Sequence, residues 1–229
     1  MISQATVEVR NNAFNAPVLY LAPFGAEELS AVLPMESSDM PYETASNAKA
    51  LAELSPEEIA QELAAAQHVD TFGIYAGTIQ PDHFVGTVET KEFCGEPDKD
   101  GNAQYHRISQ ELGTHIYRPR EHGKGYGTLG KYAAMEYARA VDETHVFSAR
   151  TFAENGAAQR SLQKLGFVLQ VTSGTLKRAD GREDEIQHWM IMDELAIGTF
   201  DDQPETQAKF RPGWERYLSL ATKFSARVC

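Results

Sequence analysis

The sequence predicts a mixed α/β or α+β fold, with helices layered on a sheet whose strands do not alternate regularly with helices. Three observations predict it. Short β-rich runs with turn signals recur at 71–78, 83–93 and 105–117, and again at 145–151, 167–171 and 186–192. Helical patterns at 55–66, 126–137 and 155–165 fall between some of these runs but not after every one. The chain of 229 residues, 42% hydrophobic and 24% charged, suffices for one large domain.

In chain order, residues 1–15 are polar and Asn-rich and read as a loose N-terminal arm. Val18-Leu19-Tyr20-Leu21 reads as a first strand and residues 25–33 as a short helix. Residues 34–54, with Pro34 and Pro41, read as a loop or broken helix. Ser55-Pro56-Glu57-Glu58 is a helix start, with a Ser cap, Pro at the first helical position and Glu58 completing a capping box. Gln80-Pro81-Asp82 joins two β-rich runs into an antiparallel hairpin, and residues 95–104 are turn-rich. Tyr126, Leu129, Ala133 and Tyr137 share one helix face. The helix from Asn155 ends at Gly166. Asp180-Gly181 is a turn between the last two strand runs, and residues 194–229 read as an added extension with a late helix around 214–224.

Composition excludes several classes. No run approaches the ~18 apolar residues of a membrane helix, so no membrane association is expected. Met1-Ile2-Ser3-Gln4 lacks the charged-then-apolar start of a secretory signal. Cys94 and Cys229, the only cysteines, make no disulfide framework or cysteine-rich zinc site, and no metal is expected. A cytoplasmic setting follows as the expectation. The net charge of −12 speaks against nucleic-acid binding. That charge is uneven. Residues 1–104 hold 4 Lys/Arg and 17 Asp/Glu, whereas residues 105–167 hold 9 and 6. A basic middle suits an anionic ligand and the acidic first half a cationic one; acidic helices facing water would leave the same pattern.

The segment His122-Gly123-Lys124-Gly125-Tyr126-Gly127-Thr128 lies between a strand run and a helix. Glycines let backbone approach a ligand, and the free amides and dipole of the helix start attract phosphate. Lys124, Arg118, Arg120 and Lys131 add positive charge. A P-loop needs Gly-Lys-Ser/Thr, but Gly125 follows Lys124. A dinucleotide fingerprint needs Gly-x-Gly-x-x-Gly and an acidic residue ending the next strand, and neither is present.

The run resembles the acyl-coenzyme A loop of the GNAT superfamily of N-acetyltransferases, Gln/Arg-x-x-Gly-x-Gly/Ala, which falls here on His122, Gly125 and Gly127. Downstream, Asn155 followed by a helix that ends in Lys164-Leu165-Gly166-Phe167 resembles the family's second landmark. Glu111-Leu112-Gly113 and Pro119 resemble the preceding strand, and the Asp180-Gly181-Arg182 hairpin is similar to the RimJ/RimL-like branch, which acetylates protein N-termini. The resemblance covers residues 16–193. It implies a central, mostly antiparallel twisted sheet flanked by helices, here carrying a C-terminal extension. Two departures stand out. His122 replaces Gln or Arg, and one extra residue between Glu111 and Pro119 predicts a bulge.

The resemblance implies direct transfer of an acetyl group from acetyl-CoA, as cosubstrate, to an amine. It places the cosubstrate against Ile116, Tyr117 and Arg118 at the strand end, and against His122, Gly123, Lys124 and Gly125 in the loop. Tyr126, Gly127 and Thr128 follow at the helix start, with Asn155, Arg160 and Lys164 from the second motif. Glu111 is the candidate base, with Glu89 and Glu92 in reserve and His115 on the same face if the strand is regular. Leu162 stands where many members carry a tyrosine acid, which leaves Ser161, another hydroxyl or water as donor. Acceptor choice is expected in residues 34–54, through Glu36, Asp39, Tyr42 and Glu43, and in residues 173–185. The acceptor is a protein N-terminus or another cationic amine; a small-molecule (polyamine or antibiotic) acetyltransferase and a non-catalytic CoA-binding module are the alternatives. The extension is expected to pack across its own domain, to form a dimer contact or to close the acceptor site, and a homodimer is a further expectation.

Overall fold

The computed structural model describes residues 5–26, 28–29, 54–55, 57–58, 61, 69–94, 105–177 and 183–229. Nine strands among them form one sheet: β1 (Val7–Asn11), β2 (Ala16–Ala22), β3 (Val69–Ala76), β4 (Phe84–Cys94), β5 (Tyr105–Ile116), β6 (Val146–Phe152), β7 (Val168–Lys177), β8 (Glu183–Met192) and β9 (Phe224–Val228). Their spatial order is β7-β8-β6-β5-β4-β3-β2-β1-β9. Every neighbouring pair is antiparallel except β5 and β6. Among the described residues, α1 (Tyr126–Asp142), α2 (Gly156–Lys164), α3 (Glu194–Gly198) and α4 (Pro204–Ala221) are the α-helices with defined bounds. The expected mixed fold with a mostly antiparallel sheet is what the chain forms.

The parallel pair explains where α1 goes. Parallel strands need a crossover, and α1 supplies it by packing across β5, β4 and β2. The helix is buried nearly all round, from Gly130 to Met135 and again at Tyr137 and Ala138. The face read from the sequence is therefore only part of what it buries. Phe72 meets Tyr137 edge-on with ring centroids 4.9 Å apart. α1 ends in a left-handed residue, Glu143, whose N–H bonds the carbonyl of Ala138. The 80–82 turn and its antiparallel hairpin form as expected between β3 and β4. Ser55 and Glu58 exchange the reciprocal bonds of the capping box, at 2.7 and 3.3 Å.

Two expectations need correction. Within the described part of the segment 1–15, residues 7–11 are not loose, because the alternation Val7-Glu8-Val9 makes an edge-proximal strand with both valines fully buried. Each such burial is worth ~1.5–3 kcal/mol, enough to order a polar stretch. The bulge expected between Glu111 and Pro119 is absent. The ladder runs in register from Gly86↔Ile116 to Glu92↔Gln110, and the irregularity falls before Glu111, where Phe93 pairs with His106. The C-terminal extension packs across its own domain. α4 places Phe210, Trp214 and Tyr217 in the core, and β9 pairs with β1. The Tyr217 hydroxyl donates to Glu136 of α1 at 2.5 Å, and Trp214 stacks on Tyr217 with Arg139 over its ring.

Candidate active site

Side-chain direction on β5 follows from its neighbours. Gln110 Nε2 donates to Asp142 of α1 at 3.1 Å, and Leu112 packs in the core, so Gln110, Leu112, Thr114 and Ile116 face α1. Glu111, Gly113 and His115 face the other side. Backbone direction follows as well. The Tyr117 N–H donates to the Val85 carbonyl at 3.0 Å. Alternation along the in-register ladder then turns the backbone groups of Thr114 and Ile116 away from β4.

On that side the sheet opens. β5 and β6 pair over Ser109↔Val146, Gln110↔Phe147 and Glu111↔Ser148, and then part. Beyond Glu111 the amides of Thr114 and Ile116 face a wedge instead of a strand. The wedge leads to the glycine loop. Gly125, at φ 92, caps α1 with no side-chain hydrogen bond, and Gly123 has φ 77. Both conformations are costly for other residues. Nothing lies within 4 Å of where a Cβ of either glycine would stand. The loop thus leaves open space in front of the unpaired first amides of a helix, which suits a phosphate.

A cavity of about 350 Å³ joins these parts. Thr114 and Ile116 line it from β5, Glu121, His122, Gly123 and Gly125 from the loop, and Tyr126, Gly127, Thr128 and Lys131 from α1. Asn155, Ala157, Ala158, Arg160, Ser161 and Lys164 close it from α2. The two sequence landmarks therefore meet around one space. His122 has a defined task in place of Gln or Arg: its Nε2–H donates to the Ile116 carbonyl at 2.8 Å and pins the loop to the strand end. Asn155 caps α2 by accepting from the Ala158 N–H at 3.0 Å, and its amide nitrogen has no partner among the described residues. Thr128 Oγ1 donates to Ser161 Oγ at 3.0 Å, tying α1 to α2 and leaving the serine proton directed elsewhere.

Three expected cofactor residues are held outside the cavity lining. Tyr117 is buried and hydrogen-bonded to Thr87 Oγ1 at 3.2 Å, and burial pushes its phenol up to about 12. Arg118 donates to the Asp82 carbonyl at 2.6 Å, and Lys124 pairs with Glu121 at 2.9 Å. Leu162 is 1% exposed and belongs to the core. Sequence reasoning missed Thr114, Glu121, Ala157 and Ala158 as lining residues. Alternation from Ile116 and helical spacing from Asn155 were signals that could have found them. Glu36, Asp39, Tyr42 and Glu43 lie outside the described residues, as do most of 25–33 and the Asp180-Gly181 turn.

The face of the sheet away from α1 carries the carboxylates. Glu111 Oε1 accepts from Arg150 Nε of β6 at 2.8 Å. Glu89 lies across from Gly113, with its Oε2 3.3 Å from where a Cβ of that glycine would stand. His115 stacks beside Tyr117. Among the described residues no cluster of His, Cys, Asp and Glu is arranged to hold a metal, and no helix is long and apolar enough to cross a membrane.

The sheet thus opens beside a glycine-capped helix start, around one cavity. Residues 19–168 match the family model for the GNAT acetyltransferase domain, and the chain belongs to that family. Solved structures agree at the level of the fold. RimJ from Mycobacterium smegmatis, in complex with a CoA disulfide, superposes with a TM-score of 0.61 at 18% identity over 97% of each chain. The ribosomal alpha-N-protein acetyltransferase RimL in complex with coenzyme A gives 0.55 at 14% identity, over 76% of this chain and 94% of that one. A chimera of the spermidine N-acetyltransferase SpeG from Vibrio cholerae and hSSAT gives 0.52 at 18%, over 83% and 96%. No curated protein sequence matches the chain.

Proposed function

We propose that this GNAT protein is an acetyl-CoA-dependent N-acetyltransferase whose acceptor is a cationic amine, foremost a protein N-terminus, working in a cytoplasmic setting. The observation that carries the reading is the continuity of the wedge beyond Glu111 with the loop at the start of α1. The residues present fit the cosubstrate: glycines leave a cradle that side chains would fill, and free amides face it. Acetyl-CoA supplies the activated acyl group. The α1 amides and Lys131, Arg160 and Lys164 offer the positive charge to hold its phosphates, and the Asn155 amide offers a donor to its arm.

On the chain's side, Thr114 and Ile116 present backbone N–H groups at the wedge, where they can stabilise negative charge on a carbonyl oxygen. Glu111 takes the amine proton, directly or through water. Arg150 holds Oε1 of that carboxylate and leaves Oε2 open to solvent or substrate. Ser161, with its proton free, is the protein donor at the cavity wall. The acidic balance of residues 1–104 supports a cationic acceptor, and the likeness to RimJ and RimL supports a peptide N-terminus.

An acetyl-CoA consumption assay against peptides with free N-termini and against polyamines tests this. Turnover with peptides is the expected result. Turnover with polyamines alone moves the protein to small-molecule acetylation. Coenzyme A binding without turnover on any amine makes it a non-catalytic binding module.

A further inference from the structure

The face of the sheet away from α1 carries cations as well as carboxylates around the mouth of the wedge. Arg150 and His188 are directly opposed on β6 and β8, and on β4 Lys91 is opposite Glu111. Directly opposed residues share a face, with Cβ atoms ~4.5–5.5 Å apart. Arg150 lies two residues past Ser148, the partner of Glu111, and so stands at the rim where β5 and β6 have parted. Its side chain is 52% exposed, and Lys91 is exposed as well. Glu111 and Glu89 are therefore balanced by Arg150 and Lys91, in a chain whose net charge is −12.

Arg150 uses only part of its donor set. Its Nε–H donates to Glu111 Oε1 at 2.8 Å. Among the described residues nothing accepts from Nη1 or Nη2, which carry most of the N–H donors of a guanidinium. An exposed ion pair adds only ~0–1 kcal/mol, so holding the fold together is a small part of what this residue can do. A guanidinium with a free edge suits a second carboxylate, gripped through parallel N–H bonds. The imidazole of His188, beside it on β8, offers a further donor. The same balance of charge disfavours acceptors that are cationic throughout, because Arg150 and Lys91 flank Glu111 on both sides.

We propose that Arg150 is a specificity residue for an acidic side chain close to the acceptor amine, so that the preferred acceptor is a peptide N-terminus with Asp or Glu at its second residue. The assignment rests on the reading of the protein as a peptide N-acetyltransferase with Glu111 at the amine. Glu111 Oε2 is open to the amine while Oε1 is held by Arg150, so amine and anion are recognised by two groups in direct contact. An extended chain advances ~3.3–3.6 Å per residue, which confines the acid to within a residue or two of the amine.

Steady-state acetylation of C-terminally amidated peptides that differ only at the second residue (Glu, Gln or Lys) tests this on wild type, R150Q and R150E. Wild type should favour Glu over Gln by at least ~10-fold in kcat/KM, with Lys the poorest. R150Q should bring Glu down to the level of Gln, and R150E should reverse the order in favour of Lys. Overall turnover falls in both variants because Glu111 loses its partner, so the ratio between peptides is read and not the rate. An arginine that only positions Glu111 would slow all three peptides by one factor and leave their ratios as in wild type, and that result overturns the proposal. So does a wild type that acetylates the three peptides equally, a result that needs no variant to fold. Turnover of free glutamate or aspartate with none of the peptides used would put an α-carboxylate at Arg150 and overturn it as well. If wild type acetylates polyamines and no peptide, or binds coenzyme A without turnover, the N-terminal reading fails instead, and the assignment falls with it.

Discussion

Glu111 and Arg150 form an ion pair across the point where two parallel strands separate, with Nε 2.8 Å from Oε1. Glu111 belongs to the last paired position of β5, opposite Ser148, and Arg150 lies two residues further along β6. The pair closes the vertex of the wedge on the face away from α1.

Glu111→Gln keeps the shape and a hydrogen-bond acceptor for Arg150 but removes the base. Turnover should fall roughly 10²–10⁴-fold with coenzyme A affinity unchanged by calorimetry. A loss below tenfold with an unaltered pH–rate profile would transfer the role to Glu89, which sits over Gly113 on the same face.

The acceptor should be read by the acidic segment that precedes β3. Glu36, Asp39 and Glu43 changed together to Gln or Asn should raise the acceptor KM, flatten its salt dependence and spare the KM for acetyl-CoA. Exposed pairs are screened over ~8–10 Å at physiological ionic strength, so steady-state kinetics at two salt concentrations decide it. An unmoved acceptor KM would mean that these carboxylates only face water.

Gly213 and Gly166 pack backbone to backbone. A Cβ on Gly213 would stand 2.2 Å from the Gly166 carbonyl oxygen, and one on Gly166 would stand 2.0 Å from that of Gly213. Gly213→Ala should cost ~1–3 kcal/mol by overpacking, lowering the melting temperature by about 2–4 °C for each kcal/mol. An unchanged melt would show that α4 and the end of α2 can separate freely.

Lys131 gives the ligand-free protein a pH signature. Its folded pKa, about 8, lies below the ordinary lysine value of 10.5. Between these values the unfolded chain holds more protons, so stability rises with pH across that window. The penalty is whole below pH 8 and relieved toward pH 10. The melting temperature of wild type relative to K131M should climb over that range, by no more than roughly 3 kcal/mol in stability terms. A flat difference would place the ammonium in water.

The parts legible in the sequence were those with local causes. The glycine loop and the Asn155 helix are written in consecutive residues, and each lies where its spacing implied. Pairings between distant segments were not legible. Five residues of Val-Glu-Val-Arg-Asn do not announce a strand until β9 is known to lie beside them. The Glu111–Arg150 pair depends on a register set by α1, which no local pattern encodes. Lys131 was visible as a positive charge, but the run 130–135 is buried without a break, so periodicity could not tell a solvated lysine from an enclosed one.

The pairing of β9 with β1 has a bearing on how the chain is made. β1 leaves the ribosome before the other strands of the sheet, and its outer partner emerges more than two hundred residues later, after all of them. During that interval the flank of β1 offers unpaired amides and carbonyls to any passing strand. A nascent or truncated chain lacking residues 224–228 should therefore be the aggregation-prone form, open to pairing with another copy of itself. The last strand covers that flank of β1 and itself becomes the short edge of the sheet.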